Sequence, residues 1–328
     1  MRIALTGVGH WHAPMHLDAA RAAGAEVVGC WDIDPAVTAR FAGEHGVPGV
    51  DGLAGLLGLG PDLVVLMGHP LAVPDVARAV LAAGVPMVLE KPAAASTADL
   101  LGIVPPEGHF VAVPLANRCS PIFAEMARLD AAGRLGAVAH AQFRIVNGAP
   151  ERYRVDRVGW LLDPAVGGGG ALRNLGLHAV DAALCLFGTA APEVVGAVVR
   201  ATMHGEAVED YAVAVLTAVG GPVVTVEAGY SYATMAPGGD YEWRVSAANA
   251  YLVDNGETCR VATLDDGAVR MIEPVPSRLR YRAFMADTLE RLRQGAAPLV
   301  GFGDYVRAMR LVDAIYARAA VTAATAGP

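Results

Sequence analysis

Lysine is all but missing from this sequence: one residue, Lys91, stands against 24 arginines. The two types replace each other on a solvated surface, but not where a compact, titratable ammonium is needed. Lys91 is therefore either a leftover surface cation or a residue with a task. Cysteine is scarce as well. Cys30, Cys119, Cys185 and Cys259 lie far apart and form no C-x-x-C pair. That argues against a disulfide framework or a zinc site and for reduced core thiols. No basic block relieves the net charge of −8, and the isoelectric point is near 5.6, which disfavours nucleic acid and anionic membranes as partners. No apolar run reaches the roughly 18 residues of a membrane span. Nor does a basic region with a long apolar segment open the chain. These absences lead us to expect a soluble, cytoplasmic protein.

What is present suggests two domains: 328 residues, 54% of them hydrophobic, suffice for two cores. Strand-like runs at 2–6, 26–31, 62–67, 86–89 and 109–113 alternate with helix-like stretches at 13–23, from Pro35, at 73–83 and from Ser96. Such alternation implies a doubly wound parallel sheet, a Rossmann-like α/β domain over residues 1–116. After Pro121 the texture changes. A helix near 122–132 and a strand near 138–146 lead to several strand-like runs between Glu193 and Ile272, broken by Gly220-Gly221-Pro222, Pro237-Gly238-Gly239 and Asp265-Asp266-Gly267. Without intervening helices these imply an α+β domain over 117–328 with a mainly antiparallel sheet, one face on helices and the other open. In Val224–Tyr232 the even positions carry Val, Val, Ala, Tyr and Tyr, the expected packed face. Helices near 281–294 and 304–319 close the fold, and Thr322–Pro328 read as frayed.

Gly7-x-Gly9 follows a strand and precedes a helix, where glycines let the backbone approach a pyrophosphate and the helix N-terminus favours its charge. His12 holds the place of a third glycine, with Ala13 next. Asp32, 25 residues after Gly7, ends the second strand, where a carboxylate can accept both adenosine ribose hydroxyls. The same residue could serve only its Asp-x-Asp-Pro turn. It would repel a 2′-phosphate, so NAD is expected over NADP. His10, Trp11 and His12 are placed along the cofactor cleft. His12 and His16 share a helical face, but no nearby carboxylate or thiolate completes a metal set, and none is expected.

Two further stretches carry chemistry. Lys91 ends the short strand 86–89, and the carboxyl edge of a parallel sheet is where ligands bind. Gly167–Gly170 read as a flexible arm entering a helix on which Asn174, His178 and Asp181 share one face. Spacing alone leaves His178 either a satisfied interior group or a residue in a pocket. Arg152, Tyr153, Arg154 and Arg157 precede Trp160 and could face a hydroxylated substrate or simply solvent. Tyr153 could stand in for a missing acid, though nothing in its spacing demands it.

Glu90-Lys91-Pro92, together with Gly-Gly-x-Leu-x-Asn-x-Gly-x-His-x-x-Asp from Gly169 to Asp181, resembles the Gfo/Idh/MocA family, relatives of glucose–fructose oxidoreductase and inositol dehydrogenase. The similarity runs nearly the whole length. It takes in Asn117-Arg118-x-x-Pro121, Trp160 with Asp163-Pro164, and Asp313-Ala314-Ile315-Tyr316. The resemblance implies an NAD(P)-dependent dehydrogenase or reductase acting on CH–OH groups of a sugar, cyclitol or derivative, paired as a homodimer or homotetramer through the second sheet. It implies a catalytic set of Lys91, His178 and Asn174, with His178 as general acid/base and Lys91 near both nicotinamide ribose and reacting hydroxyl. His69, Pro70 and Glu90 would join the cofactor residues, and Asn117, Arg118 and Trp160 the substrate residues. Two departures stand out. Asn174 replaces the usual Asp, and an amide can orient a group but cannot take a proton. Gly68-His69-Pro70 stands where Thr-Pro or Thr-Asn is common. Two other readings stay open: an NAD-dependent glycosidase of the same family, and a non-catalytic NAD- and sugar-binding regulator.

Overall fold

A computed structural model describes residues 1–236 and 238–325. The chain opens with β1 (Arg2–Thr6), α1 (Ala13–Ala22), β2 (Glu26–Trp31), α2 (Pro35–His45), α3 (Gly52–Gly58), β3 (Leu63–Leu66), α4 (Val73–Ala82), β4 (Met87–Leu89), α5 (Thr97–Leu100) and β5 (Val111–Ala112). The five strands pair in parallel in the order β2-β1-β3-β4-β5. A lone parallel bridge from Gly49 to Cys30 is a vestigial strand beyond β2. Counting it, the order becomes that of a dinucleotide-binding sheet, with its reversal between β1 and β3. Alternation along the strands feeds two cores. Ile3, Leu5, Leu63, Val65 and Val88 face one side with α1 and α2, while Ala4, Val64, Leu66, Met87 and Leu89 face α4 and α5.

The second half contains α6 (Pro121–Ala131), β6 (Val138–Gly148), α7 (Glu151–Val155), α8 (Pro164–Gly167), α9 (Leu177–Phe187), β7 (Glu193–Arg200), β8 (Tyr211–Thr217), β9 (Val223–Tyr232), β10 (Gly239–Ala247), β11 (Ala250–Asp254), β12 (Cys259–Thr263) and β13 (Val269–Ile272). They form an eight-stranded sheet, β13-β12-β11-β10-β6-β9-β8-β7, antiparallel except where β6 meets β9. Val224, Val226, Ala228 and Tyr230 bury the even face of β9, but Tyr232 is exposed because the strand ends there. Two helices follow, α10 (Ser277–Gln294) and α11 (Phe302–Thr325). The residues expected to fray remain helical to Thr325, and 326–328 lie outside the described residues, as does Pro237 of an expected turn.

Helix α10 belongs to the second half by sequence but packs on α1. Tyr281, Phe284, Met285 and Leu289 fall at helical spacing and close the first core over Ala13, Leu17 and Ala20. Each such side chain contributes roughly 1.5–3 kcal/mol of burial. The four cysteines are free thiols, Cys30 and Cys259 buried, Cys119 half-buried; Cys185 is exposed and so not the expected core thiol. No described helix is long and apolar enough to cross a membrane.

Arg118 departs from the expected substrate role. Its guanidinium donates to both carboxylate oxygens of Asp181 on α9 (2.9 and 2.6 Å) and to the Leu299 carbonyl (3.2 Å), tying the segment after β5 to the second half. Asp181, expected on the face of Asn174 and His178, is turned into this pair and is 2% exposed. Removing one partner of such a pair leaves the other as an uncompensated buried charge. Arg118→Leu should therefore cost about 3 kcal/mol in urea unfolding while NADH affinity is unchanged; a stable variant with weakened substrate binding would return Arg118 to the site.

Candidate active site

Two clefts open at the carboxyl edge of the parallel sheet. The first, about 330 Å³, sits at the reversal of strand order and is lined by Gly7, Gly9, Asp32, Gly68, His69 and Trp160, among others. Gly7 is obligatory: its φ is +69°, and a Cβ there would lie 2.0 Å from the Met67 carbonyl oxygen. Asp32 accepts from the Gly9 amide (2.9 Å) through one oxygen and from the Asp34 amide (3.1 Å) through the other. Each carboxylate oxygen keeps acceptor capacity for a ribose hydroxyl. At the N-terminus of α1, Ala13 N donates to the His10 carbonyl (2.9 Å), His12 N to His10 Nδ1 (3.2 Å), and Pro14 has no N–H, so the helix start is closed by its own turn. The Gly7 turn and Asp32 fit a dinucleotide. Arg40 and Arg157 also line this cleft, and sequence reading placed no cation beside Asp32. Arg157 sits at φ 60°, a left-handed conformation uncommon for a residue other than glycine, and no regularity in the sequence announces it.

The second cleft, about 810 Å³, brings together Lys91, Asn117, Tyr153, Asn174 and His178, with His10, Trp11 and His12 forming the wall toward the first. His10 lines both clefts, stacks on Trp11 at 3.8 Å and is 4% exposed; its Nε2 has no partner. Burial, reinforced by His12, holds its pKa well below the usual histidine range. Trp160, expected beside the substrate, instead lines the first cleft, because its 3-10 turn sets it against His69 (5.3 Å) and Trp11 (5.9 Å). Asn117 reaches the second cleft with its side-chain oxygen already accepting from Arg280 (3.0 Å).

Glu90 and Pro70 line neither cleft. Pro70 is buried in the turn before α4, which presents His69 instead. Glu90, 1% exposed, points inward to His16 Nε2 (2.6 Å) and His12 Nδ1 (3.3 Å). Burial pushes its carboxyl up, but the charges and hydrogen bonds of His12 and His16 outweigh that and hold it well below the usual carboxylate range. It is a buried counter-charge under the site, not a cofactor contact. No group of three metal-ligating side chains occurs among the described residues.

Lys91 is 2% exposed. Its Nζ donates to the backbone carbonyl and to Oδ1 of Asn174, both at 3.1 Å. Burial lowers its pKa to about 8, against the raising effect of Glu90. His178 shares the cleft with a buried, unpartnered Nδ1, and burial together with the Lys91 charge holds its pKa well below the usual range. The turn carrying Asn174, Leu172–Gly176, is π-helical before it becomes α9, a widening often found at functional sites. The glycines before it are not a flexible arm. Gly168 has φ +74°, and a Cβ there would lie 1.8 Å from the Ala95 carbonyl oxygen. Glu209 then caps the turn, accepting from Gly170 N (2.8 Å), Leu172 N (2.9 Å) and Tyr316 Oη (2.6 Å). Glu209, Tyr230 and Tyr281 were missed by sequence reading. Their alternation and helical spacing mark burial and carry no signal of polar partners.

Fold and clefts together define a dinucleotide-binding protein in which a parallel sheet is followed by a mainly antiparallel one, with a polar pocket beside the cofactor cleft. Residues 1–104 match the family model "Oxidoreductase family, NAD-binding Rossmann fold", and residues 123–253 match the GFO/IDH/MocA C-terminal domain. The chain belongs to the Gfo/Idh/MocA family and binds NAD. It is 31% identical over 176 residues to a protein of Amycolatopsis mediterranei named as the oxidoreductase subunit of a UDP-kanosamine synthase. That match spans 52% of this chain and about half (47%) of the relative. Among solved structures, levoglucosan dehydrogenase in complex with NADH and levoglucosan superimposes with a TM-score of 0.84 at 18% identity, covering 98% of this chain and 97% of that one. UDP-N-acetylglucosamine 3-dehydrogenase from Acidithiobacillus ferrooxidans gives 0.79 at 20% identity, covering 97% of each. At these identities the structures show a shared fold.

Titration should show NADH binding more tightly than NADPH. Asp32→Ala should narrow the gap from both sides, losing the ribose acceptor and the repulsion of a 2′-phosphate while Arg40 and Arg157 remain. Equal affinities in the native protein would contradict the role given to Asp32.

Proposed function

We propose that the protein oxidises a secondary alcohol of a sugar, cyclitol or sugar derivative to a ketone, or catalyses the reverse reduction. In this reading residues 1–116 form the dinucleotide-binding unit and 117–328 the substrate-binding one, with α10 lending its apolar face to the first. The observation that carries it is the arrangement at Lys91 Nζ. A neutral lysine amine has two N–H donors and one lone pair, and two donors are what Asn174 engages with its backbone and side-chain oxygens. The lone pair, or the third proton of the ammonium, is then left for the pocket. With its pKa at about 8, Lys91 can exchange that proton with a substrate hydroxyl near neutrality.

NAD held by Gly7, Gly9 and Asp32 would supply the hydride acceptor or donor. The chain's own residues move the proton at Nζ, and His178, neutral at working pH, positions the reacting oxygen through a ring nitrogen. This shifts the acid/base role expected of His178 toward Lys91. Asn174 helps by being uncharged, since a carboxylate there would favour the ammonium and raise its pKa. A cleft of about 810 Å³ lies in the range that takes drug-sized ligands, roomy enough for a monosaccharide with a substituent. The related A. mediterranei protein, named for a UDP-sugar activity, supports a sugar nucleotide as one such substrate.

The pH profile provides the test. Oxidation needs the unprotonated amine, so kcat/KM for alcohol oxidation should rise with pH and level off above about 8. Reduction should run the opposite way, and Asn174→Asp should move the inflection upward. Lys91→Arg keeps the charge but cannot exchange protons near neutrality, and should lower turnover at least about a hundredfold with the fold intact. Near-native turnover in that variant refutes the proposal. The same reading has two copies pairing through the open face of the second sheet, where Val213 and Val215 of β8 are half-exposed between the buried Ala212, Ala214 and Leu216. A monomer in sedimentation velocity at micromolar concentration would exclude it.

A further inference from the structure

The side chain of Asn174 makes three hydrogen bonds, and their directions are determined. The ammonium form of Lys91 can only donate, so the oxygen of the amide must face Nζ, 3.1 Å away. The amide nitrogen therefore faces the other way, and its two hydrogens go to Tyr153 Oη (2.9 Å) and Tyr230 Oη (3.1 Å). Both tyrosines act as acceptors toward Asn174, so their O–H hydrogens are directed to other partners; those around Tyr153 Oη are Asn147, Tyr230 and the open cleft. Tyr230 is 1% exposed and lies behind the cleft; the ring of Tyr153 packs edge-on against it at 5.3 Å. Tyr153 itself lines the cleft beside Lys91, next to Asn147.

The geometry points to Tyr153 as a hydrogen-bond donor to the substrate, aimed into the pocket by Asn174. This rests on the reading that the cleft beside Lys91 takes the substrate. Donation runs outward from the lysine, through the amide, to the phenol, and each bond polarises the next, so the terminal O–H is a stronger donor than an isolated tyrosine. A carboxylate at position 174 would reverse this. It has no hydrogens, so both phenols would have to donate to it, and Tyr153 would present only lone pairs to the pocket. The amide at 174 thus sets what the pocket recognises: an acceptor oxygen, as in a ketone or a hydroxyl on the carbon next to the reacting one. Tyr153 is a specificity residue and Asn174 the residue that positions it.

Tyr153→Phe removes the donor and keeps the ring. The native holoenzyme is assayed on D-glucose, myo-inositol and UDP-N-acetylglucosamine, and the substrate oxidised fastest is carried forward. On it, Tyr153→Phe should lower kcat/KM at least about tenfold without changing NADH affinity. In an Asn174→Asp background the same substitution should cost less than about threefold, because the hydrogen already points away from the pocket. Equal losses in the two backgrounds overturn the inference, as does a lower Tm with unchanged kcat/KM, the signature of a structural tyrosine. A second readout needs no turnover. In NAD-loaded protein carrying 13Cζ-tyrosine, the Tyr153 resonance, identified by its loss in Tyr153→Phe, should shift on Asn174→Asp as the phenol changes from acceptor to donor. An unmoved resonance overturns the inference. A shifted resonance in a protein that oxidises none of the three sugars supports the hydrogen-bond direction and places the failure with the proposed activity.

Discussion

The contact on which the site depends is the pair of hydrogen bonds from Lys91 Nζ to Asn174. It joins the carboxyl end of β4 in the parallel sheet to the π-helical turn ahead of α9, so the pocket exists only when the two halves are docked. An ammonium that is 2% exposed would be costly without partners. Two neutral oxygens and the nearby carboxylate of Glu90 offset part of that cost. They do not offset all of it, and the remainder appears as a pKa lowered to about 8. The absence of any other lysine acquires a physical meaning here, because arginine could not titrate in that position.

Much of the surrounding structure keeps this contact in register. Beneath it, His12 and His16 hold the Glu90 carboxylate ionised in a buried site. On the other side, Glu209 fixes the start of the π turn, and Arg173 within the turn pairs with Asp313 of α11 at 2.6 Å. Asp313 and Tyr316, which in the sequence are merely part of a distant family motif, are the braces of the turn that carries Asn174. Arg118 and Asp181 work at larger scale, locking the segment after β5 to α9.

The replacement of the family's aspartate by Asn174 reads differently once its neighbours are known. In the sequence it weakens the case for catalysis, since an amide cannot take a proton. In the proposed mechanism the proton-handling group is Lys91, and an uncharged neighbour suits an amine that must lose its proton near neutrality. The amide also satisfies one lysine nitrogen and two phenols at once, which a carboxylate could do only with every hydrogen bond to the tyrosines reversed.

Local chemistry made some of this protein legible from its residues alone. The glycines at 7 and 9, Asp32 at a strand end and the alternation of strands and helices specify the first sheet and its cleft, because turn geometry and hydrophobic period act over a few residues. Lys91, Asn174 and His178 were likewise recognisable, and the fold does bring them into one cleft. Other assignments depended on where side chains meet across long separations, which no local pattern encodes. Arg118 and Glu90 are polar residues beside motifs, yet each is turned inward to a charge partner. Trp160 faces the first cleft rather than the second, the glycine arm is held by the carbonyl of Ala95 rather than free, and α10 completes the core of the other half. Hydrogen-bond direction is decided at the same level: that Tyr153 accepts from Asn174 follows from a lysine 83 residues away in sequence from that asparagine. Residue type sets what a group can donate or accept, and only tertiary packing decides which partner takes it.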